Sequence, residues 1–316
     1  MRVLVYGDLN LDVFFVLDLD VVELRDVSYV AQASALVPGG SGGNVGVALS
    51  RLGQKPVLVS TVGTDPFGEL ILEDLAREKV EATSVRRIEG ETTGIMVVVI
   101  KKSGERTIIG YRGANAYNTL SDVESRDLTA TSDYTFISGF TSRNVDSGKS
   151  VEYLIDSSVR LGLPVGIDLG GVTKRFLIEV LAKYRGAIYD VFINLDELKE
   201  LFGSDTQNSL TNLVSVLKPK NIFLKMGSRG SLVYSGERFA HVEAVRVGRV
   251  VDTTGCGDAY DAGAIYGLLI GLPSEQRAAL GNLMGAYKAG GLGARHLPRD
   301  VGELKSLAEA HLKLRI

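Results

Sequence analysis

The sequence has a single cysteine, no long apolar run and no excess of positive charge. One cysteine excludes a framework of intramolecular disulfide bonds. Glycine and charged residues interrupt every apolar stretch before it reaches the roughly 18 residues of a membrane-spanning helix. The formal net charge of -3 at pH 7 provides no basic surface for a nucleic-acid backbone. We therefore expect a soluble protein that binds neither a membrane nor a nucleic acid.

The N-terminal segment MRVLVYGDLN leads directly into a strand-like run and lacks the pattern of a secretion signal. We therefore expect a cytoplasmic protein. A chain of 316 residues, 45% of them hydrophobic, is long enough to bury a full core, and we expect a single domain over residues 1–316. Its 37 glycines cluster in short segments, so they indicate special turns rather than low complexity.

Short apolar runs alternate with amphipathic segments along most of the chain. The apolar runs, which suit strands buried on both faces, are residues 3–6, 57–60, 135–138, 165–168, 191–194 and 222–225. The predicted helices between them are residues 45–52, 67–78, 151–161, 195–202 and 209–217. This alternation predicts an α/β fold with a mainly parallel sheet.

Two regions interrupt this alternation, residues 12–37 and 92–111. Both have the pattern of strands joined by turns, and KKSGER at 101–106 links two apolar runs as a hairpin does. We expect them to form a small separate sheet. Its apolar side chains, such as Phe14 and Met96, need cover from the main domain, a substrate or a second subunit.

The segment VDTTGCGDAYDAG at 251–263 places an aspartate, Asp258, at the start of a predicted helix. The backbone N–H groups of Gly255, Cys256 and Gly257 precede it and form a potential anion hole at the helix N-terminus. A carboxylate beside a bound phosphate has the usual task of accepting a proton from the attacking hydroxyl. The alternative is that Asp258 only caps the helix and the glycines form a tight turn.

A second glycine cluster, PGGSGGN at 38–44, also leads into a predicted helix and suits a polar or anionic ligand. It has neither the Lys-Ser/Thr pair of a Walker A loop nor the spacing of a dinucleotide-binding fingerprint. Near the N-terminus, Asn10 and Asp12 are two residues apart and therefore point to one side of a strand. They could bind vicinal hydroxyls or simply end a strand and open a turn.

Six segments together resemble the ribokinase-like carbohydrate kinases, also called the phosphofructokinase B family. They are GDLNLD at 7–12, GGSGGN at 39–44, RGAN at 112–115, NLDE at 194–197, KMGSRG at 225–230 and DTTGCGD at 252–258. The resemblance extends from residue 1 to about residue 300. It implies a three-layer α/β/α fold with a central, mostly parallel sheet and a small β-sheet lid, here formed by about 12–37 and 92–111.

The resemblance also implies roles for individual residues. Asp258 is the expected base, and Gly255, Cys256 and Gly257 are the expected anion hole. The residues expected to bind the sugar are Asn10, Asp12, Gly40, Ser41 and Asn44. Those expected near ATP and Mg²⁺ are Asn194, Glu197, Lys225, Gly227, Gly230, Thr253 and Asn282.

Some of these roles have structural alternatives. Asn194 and Glu197, which are implied to organise Mg²⁺ and its waters, also have the spacing of a helix capping box. Asn282 could equally be a surface or helix-packing residue. Cys256 stands where the commonest family signature has alanine; its thiol is either activated by the helix N-terminus or packed and inert.

Several members of the family bind a monovalent cation beside the anion hole. The matching positions here are Asp252, Thr254 and carbonyl groups of the loop at 289–294, so K⁺ is an expected ligand.

Two departures from the family pattern bear on the identity of the acceptor. The segment ISGFTSRN at 137–144 lacks the acidic residue with which ribokinases contact ribose, and Asp168 with Arg175 matches only part of the Asp-x-Asn-x-Arg element of fructokinases and ketodeoxygluconate kinases.

We therefore expect an ATP-dependent, Mg²⁺-requiring carbohydrate kinase that phosphorylates a hydroxyl of a sugar or sugar-like metabolite. A nucleoside kinase of the same family is the alternative enzyme. A catalytically silent protein that binds sugar or nucleotide is the alternative from another class. Exposed apolar lid strands also predict a homodimer formed through the lids.

Overall fold

Strands and helices alternate through most of the chain in the computed structural model, which describes residues 1–19, 21, 26–102, 106–203, 206–236 and 238–316. The strands are β1 (Arg2–Tyr6), β2 (Asn10–Val16), β3 (Ala33–Gly39), β4 (Lys55–Gly63), β5 (Glu81–Ile88), β6 (Gly94–Ile100), β7 (Arg106–Tyr111), β8 (Tyr134–Ser138), β9 (Val165–Asp168), β10 (Asp190–Asn194), β11 (Asn221–Lys225), β12 (Ser231–Ser235) and β13 (Phe239–Val242). The helices are α1 (Ser41–Arg51), α2 (Pro66–Arg77), α3 (Asp122–Ala130), α4 (Lys149–Leu161), α5 (Lys174–Glu179), α6 (Leu195–Phe202), α7 (Thr206–Leu217), α8 (Cys256–Leu269), α9 (Ser274–Lys288) and α10 (Val301–Leu312).

The larger sheet has the strand order β13-β12-β11-β10-β9-β8-β1-β4-β5. The strands from β11 to β5 run parallel, and β12 and β13 add antiparallel pairs at one edge. Each face of this sheet carries its own apolar core, because alternate side chains of a strand point to opposite faces. In β1, Val3 and Val5 belong to the core with α1 and α8, whereas Leu4 and Tyr6 belong to the core with α4 and α7. The expected three layers are therefore present.

The smaller sheet has the order β3-β2-β6-β7 and comes from the two segments that interrupt the strand–helix alternation. Strand β2 pairs antiparallel with β3 and parallel with β6, which pairs antiparallel with β7. This sheet fits a lid. Residues 103–105 of the predicted hairpin, and residues 20 and 22–25 of the first segment, lie outside the described residues.

Helix α1 begins at Ser41, four residues before the predicted start at 45. Two of the glycines expected to lead into the helix, Gly42 and Gly43, therefore lie in its first turn, whereas Gly40 is its N-cap. Gly42 lies so close to the backbone of Gly7 that an added Cβ would lie 2.7 Å from the Gly7 carbonyl carbon. The glycine cluster thus allows the helix to start directly against the end of β1. In the described part of the chain, no helix has both the length and the apolar character that crossing a membrane requires.

Candidate active site

Two helix N-termini meet beside the carboxyl ends of the parallel strands, which is where α/β sheets bind ligands. Asn44 lies in the first turns of α1, and Asp258 lies in the first turn of α8. The Asn44 amide Nδ2 donates a hydrogen bond to Asp258 Oδ2 at 2.7 Å. Asn44 Oδ1 is buried and has no hydrogen-bond partner among the described residues. The structure therefore brings together two residues that the sequence places 214 positions apart.

The environment of Asp258 makes its carboxyl a weaker acid than usual. Burial raises the pKa from 3.8 to about 6, the hydrogen bond from Asn44 opposes this change, and the charge of Asp168 adds to it. The Lys225 ammonium partly opposes this rise in the pKa of Asp258. A carboxylate of this kind is ionised near pH 7 and is more basic than an exposed aspartate.

The first N–H groups of α8 have no partner within the helix, and that of Cys256 donates a long hydrogen bond of 3.3 Å to the Thr253 carbonyl. Gly255 is its N-cap with φ +75, and a Cβ at that position would lie 2.5 Å from the Ala294 Cβ, so only glycine fits. A Cβ added to Gly257 would lie 3.4 Å from Lys225 Nζ, so the Lys225 ammonium lies beside the N-terminus of α8. Burial raises the pKa of Cys256 to about 11, which favours a packed, unreactive thiol over an activated one.

Lys225, the last residue of β11, makes contact with two carboxylates inside the site. Its Nζ lies 2.7 Å from Asp168 Oδ2 at the end of β9 and 3.0 Å from Asp261 Oδ1 in α8. Burial alone would lower the pKa of Lys225, but Asp168, Asp261 and Glu197 raise it well above its ordinary value. Asp261 was not singled out from the sequence. Its spacing of three from Asp258, which puts both residues on one face of α8, is the signal that could have identified it.

Asn194 and Glu197 form a capping box at the start of α6. Asn194 Oδ1 accepts hydrogen bonds from the N–H groups of Asp196 and Glu197, and Glu197 Oε2 accepts one from the Asn194 N–H at 2.8 Å. Burial raises the pKa of Glu197 to about 7, and the charge of Asp168 adds to this effect. An ordinary exposed cap has no such shift, so Glu197 also belongs to the buried acidic cluster.

The residues predicted to bind the sugar lie at the start of β2 and around the start of α1, where the chain passes between the larger and the smaller sheet. Asn10 Oδ1 accepts a hydrogen bond from Asn115 Nδ2 at 2.8 Å. Asp12 is buried against Gly39, and burial together with the charge of Asp258 raises its pKa to about 7. Gly40 has φ +87 and caps α1, and Ser41 Oγ lies 2.6 Å from Ser138 Oγ.

A second polar cluster at this end of the site was not predicted. Arg112 Nη1 lies 3.0 Å from Asp8 Oδ2, and Arg112 Nη2 donates to Asn144 Oδ1 at 2.7 Å. Burial raises the pKa of Asp8 to about 6, although Arg112 lowers it in part. RGAN at 112–115 and ISGFTSRN at 137–144 each contribute a residue, so the two quoted segments were the available signal.

The remaining candidates are more widely spread. Gly230, with φ +78, follows the single turn of 3-10 helix Gly227–Arg229. The Thr253 hydroxyl accepts a hydrogen bond from Arg106 Nη1 of lid strand β7. Asn282 Nδ2 donates to the carbonyl groups of Val242 and Glu243, which corresponds to the packing alternative. Arg175 is 84% exposed, pairs with Glu179 and is therefore not part of this cluster.

Asp252 is held entirely by protein groups in the described residues. Its Oδ1 accepts hydrogen bonds from the Thr254 N–H at 2.9 Å and the Thr254 hydroxyl at 2.8 Å, and its Oδ2 accepts one from the Gly293 N–H at 2.9 Å. Lys288 Nζ donates to the Asp252 carbonyl at 2.6 Å. No group of three or more His, Cys, Asp or Glu side chains in the described residues is arranged to hold a metal ion.

Comparison with known proteins gives the same family as the motifs. The model of the pfkB family carbohydrate kinases matches residues 2–300. The chain is 30% identical over 278 residues to the ATP-dependent 6-phosphofructokinase of Thermoanaerobacterium thermosaccharolyticum, which covers 85% of this chain and 84% of that protein.

Two solved structures have the same fold. The structure of Arabidopsis thaliana ribokinase complexed with ribose and ATP has a TM-score of 0.81 at 23% identity and covers 97% of this chain and 98% of that one. The structure of Burkholderia thailandensis nucleoside kinase in complex with inosine has a TM-score of 0.82 at 19% identity and covers 100% of both chains. Because the family model spans nearly the whole sequence and the fold agrees, the chain belongs to the pfkB family of carbohydrate kinases.

Proposed function

We propose that the protein is an ATP-dependent kinase that transfers the γ-phosphoryl group to a hydroxyl of a sugar or sugar-like metabolite. The observation that carries this proposal is the environment of Asp258. Its carboxylate lies in the first turn of α8, accepts a hydrogen bond from Asn44, and has its pKa raised to about 6 by burial. A base beside the N-terminus of a helix matches the needs of phosphoryl transfer, in which a hydroxyl loses its proton as a phosphate gains charge.

In the proposed reaction the acceptor O–H transfers its proton to Asp258, and the oxygen attacks the γ-phosphorus in line. The bond between that phosphorus and the bridging oxygen breaks, and ADP leaves with the electron pair. Asn44 engages Oδ2 of Asp258, which leaves Oδ1 to receive the proton. Above pH 6 most of the Asp258 carboxyl is ionised and ready to act as base.

The charge that develops on the phosphoryl oxygens needs preorganised donors. The N–H groups of Gly255 and Gly257 at the start of α8 would supply them, and the Cys256 N–H would join them by exchanging its 3.3 Å hydrogen bond to the Thr253 carbonyl for one to the phosphate. The positive end of the helix dipole would stabilise the same charge. Lys225 Nζ, next to Gly257, adds a full positive charge at this place. The paired carboxylates of Asp168 and Asp261 keep this lysine protonated and fixed.

The acidic cluster also suits a magnesium ion carried with ATP. The pKa of Glu197 is raised to about 7, first by burial and then by the charge of nearby Asp168, so a cation placed here would favour the ionised carboxylate. Oxygen donors of this type fit Mg²⁺, which keeps most of its waters and binds few protein groups directly. Glu197 and Asp168 would hold the ion through water, and the ion would neutralise phosphate charge when bound.

Three residues support a polyhydroxylated acceptor. Asn44 Oδ1 is a buried hydrogen-bond acceptor without a partner in the described residues, and a substrate hydroxyl can satisfy it. Asp12 and Asn10 lie on the adjoining strand β2 with amide and carboxylate groups that suit vicinal hydroxyls. The segment at 137–144 lacks the acidic residue that ribokinases carry there, and its Asn144 is bound to Arg112, so ribose is not the acceptor we favour.

Lid strand β7 supports the proposed homodimer. Every residue of β7 is exposed, including the apolar Ile108, Ile109 and Tyr111. An edge strand of this kind invites pairing with another chain. We propose that a second copy covers this strand and that the lid closes over the acceptor, which excludes water that would otherwise hydrolyse ATP.

The test is a coupled assay of ADP release with ATP and Mg²⁺ against a panel of sugars, sugar phosphates and nucleosides. We expect a sugar or sugar phosphate to give the highest kcat/KM; a nucleoside in that position would favour the alternative kinase. Asp258→Asn should lower kcat by about 10²-fold or more while ATP binding, measured by calorimetry, is retained. Unchanged turnover of this variant would exclude Asp258 as the base, and absence of turnover with every acceptor would favour a silent binding protein.

A further inference from the structure

The position expected to hold a monovalent cation contains a side-chain ammonium. Lys288 is the last residue of α9 and is 0% exposed. Its Nζ donates hydrogen bonds to the Asp252 carbonyl at 2.6 Å and the Gly291 carbonyl at 3.1 Å, and it lies 3.6 Å from Asp252 Oδ2. These oxygens come from the aspartate and the loop that the sequence assigned to K⁺.

A second cation does not fit the same oxygens. The two carbonyl oxygens that already accept Lys288 protons, and the Asp252 carboxylate paired with Lys288, would have to coordinate an ion next to a buried positive charge, where like charges repel strongly. The carboxylate of Asp252 has further donors in Thr254 and Gly293, so its lone pairs are largely used. Burial lowers the pKa of Lys288 below its ordinary value, and the nearby charge of Asp252 opposes this change.

We propose that Lys288 is a built-in monovalent cation that replaces K⁺ beside the anion hole and makes this kinase independent of added monovalent ions. Lys288 is a positioning residue, because it acts through the backbone of residues 252–255. The ammonium fixes the Asp252 carbonyl, while Val251 N and Asp252 N both donate to the Ala289 carbonyl at the end of α9. This segment then leads into Gly255, the N-cap of α8, so its position determines where the anion-hole N–H groups point.

The location of Lys288 in the fold supports this role. It ends a helix of 15 residues, where the helix dipole and the last unpaired carbonyl groups favour a positive charge. A lysine here provides that charge covalently, without the entropy cost of binding an ion from solution. The consequence for catalysis rests on the proposed function, whereas the exclusion of ions from this position does not.

The first measurement uses the unmodified protein. Thermal unfolding is measured in KCl, NH₄Cl and tetramethylammonium chloride at an ionic strength of about 0.1 M, so that the screening of charges by salt is the same in each. Once an acceptor is identified, kcat is compared in the same three salts. We expect neither the unfolding midpoint nor kcat to depend on which cation is present. A midpoint or kcat that rises specifically with K⁺ would overturn the proposal.

The second measurement removes the Lys288 ammonium and so opens a site for an added cation. Lys288→Ala removes the ammonium and leaves space, so its kcat in tetramethylammonium should fall by about tenfold or more and recover with K⁺ or NH₄⁺. Its unfolding midpoint should also rise with K⁺. Lys288→Met fills the space with an apolar chain and should lose activity without rescue, and Lys183→Ala, at an exposed lysine paired with Glu152, should remain insensitive to the cation.

The outcomes separate the two proposals. A folded Lys288→Ala that no cation rescues, in either unfolding midpoint or turnover, would refute the role of Lys288. If this variant folds only with K⁺ or NH₄⁺, that result supports the role directly; if it never folds, the cation dependence of the unmodified protein decides. Absence of kinase activity in every salt would refute the proposed function, and the unfolding measurements would still test ion exclusion.

Discussion

The hydrogen bond from Asn44 to Asp258 should set the acid limb of the pH–rate profile. The pKa of Asp258 is about 6 because burial raises it and Asn44 opposes this change. The donor stabilises only the ionised carboxylate, so replacing Asn44 with leucine, of similar size, favours the protonated form. A hydrogen bond to a charged group contributes about 1.5–3 kcal/mol, which corresponds to an upward movement of the acid limb by about one to two pH units.

The loss of kcat in Asn44→Leu depends on pH and can be calculated. With a base of pKa about 6 most of the enzyme is active at pH 7, and moving the limb upward by about one to two pH units lowers kcat there by about two- to tenfold. Near pH 9 the loss from protonation should disappear. The assay is kcat between pH 5 and 9 with saturating ATP and acceptor, so that any weaker binding of substrate by the variant does not contribute.

A matched control lies on the same helix. Ser50, near the C-terminal end of α1, donates a hydrogen bond to the Glu78 carbonyl at 2.6 Å and does not contact the carboxylate cluster. Ser50→Ala should therefore leave the midpoint of the acid limb in place. A limb in Asn44→Leu that stays at the position of the unmodified enzyme, or moves to lower pH, would refute the assignment of this hydrogen bond to the ionised base.

Three further predictions concern the lid and the buried acids. Arg106→Ala removes the hydrogen bond from the lid to Thr253. Initial-rate kinetics should show a kcat/KM for ATP that is about tenfold lower, equivalent to about 1.4 kcal/mol. An unchanged kcat/KM would exclude this contact from catalysis. If a second copy covers β7 as proposed, aspartate at both Ile108 and Ile109 should give a monomer in sedimentation equilibrium, whereas an unmodified protein that is monomeric at micromolar concentration would contradict the proposed dimer. The pKa of Asp12 is raised from 3.8 to about 7, so the folded state binds more protons than the unfolded state between these values. The free energy of unfolding therefore falls as the pH rises through this range. The melting temperature should be lower at pH 8 than at pH 5.5, and Asp12→Asn should reduce the difference.

The parts of the fold that follow from local sequence were predictable. Helix α6 has the bounds predicted for residues 195–202, because its capping residues and its amphipathic pattern are both local signals. Strand β5 was not identified, because it lies at the edge of the larger sheet and alternates exposed and half-buried residues instead of being uniformly apolar. The early start of α1 depends on how closely Gly42 approaches Gly7, which is a tertiary contact and has no periodic signal.

The active-site charges show a different limit of sequence analysis. Asn194 and Glu197 have one spacing that is compatible with both a capping box and a magnesium site, and the structure explains why the alternatives need not exclude each other. The cap uses Oε2 of Glu197, while burial and Asp168 raise the pKa of the same carboxyl to about 7. Which environment surrounds Glu197 depends on β9, a strand about 30 residues earlier, and spacing alone cannot reveal that.

Two of the four acids in the cluster pair directly with Lys225. Asp168, Glu197, Asp258 and Asp261 converge around the single ammonium of Lys225, and burial raises the pKa of the last three of these acids. Stability of the folded protein is reduced wherever buried carboxylates must ionise against a raised pKa. An additional cation beside the cluster would stabilise the ionised forms of Glu197 and Asp258. Under the proposed function, magnesium bound with ATP would add positive charge beside these acids and favour the ionised form of Asp258, which would link nucleotide binding to the state of the proposed base.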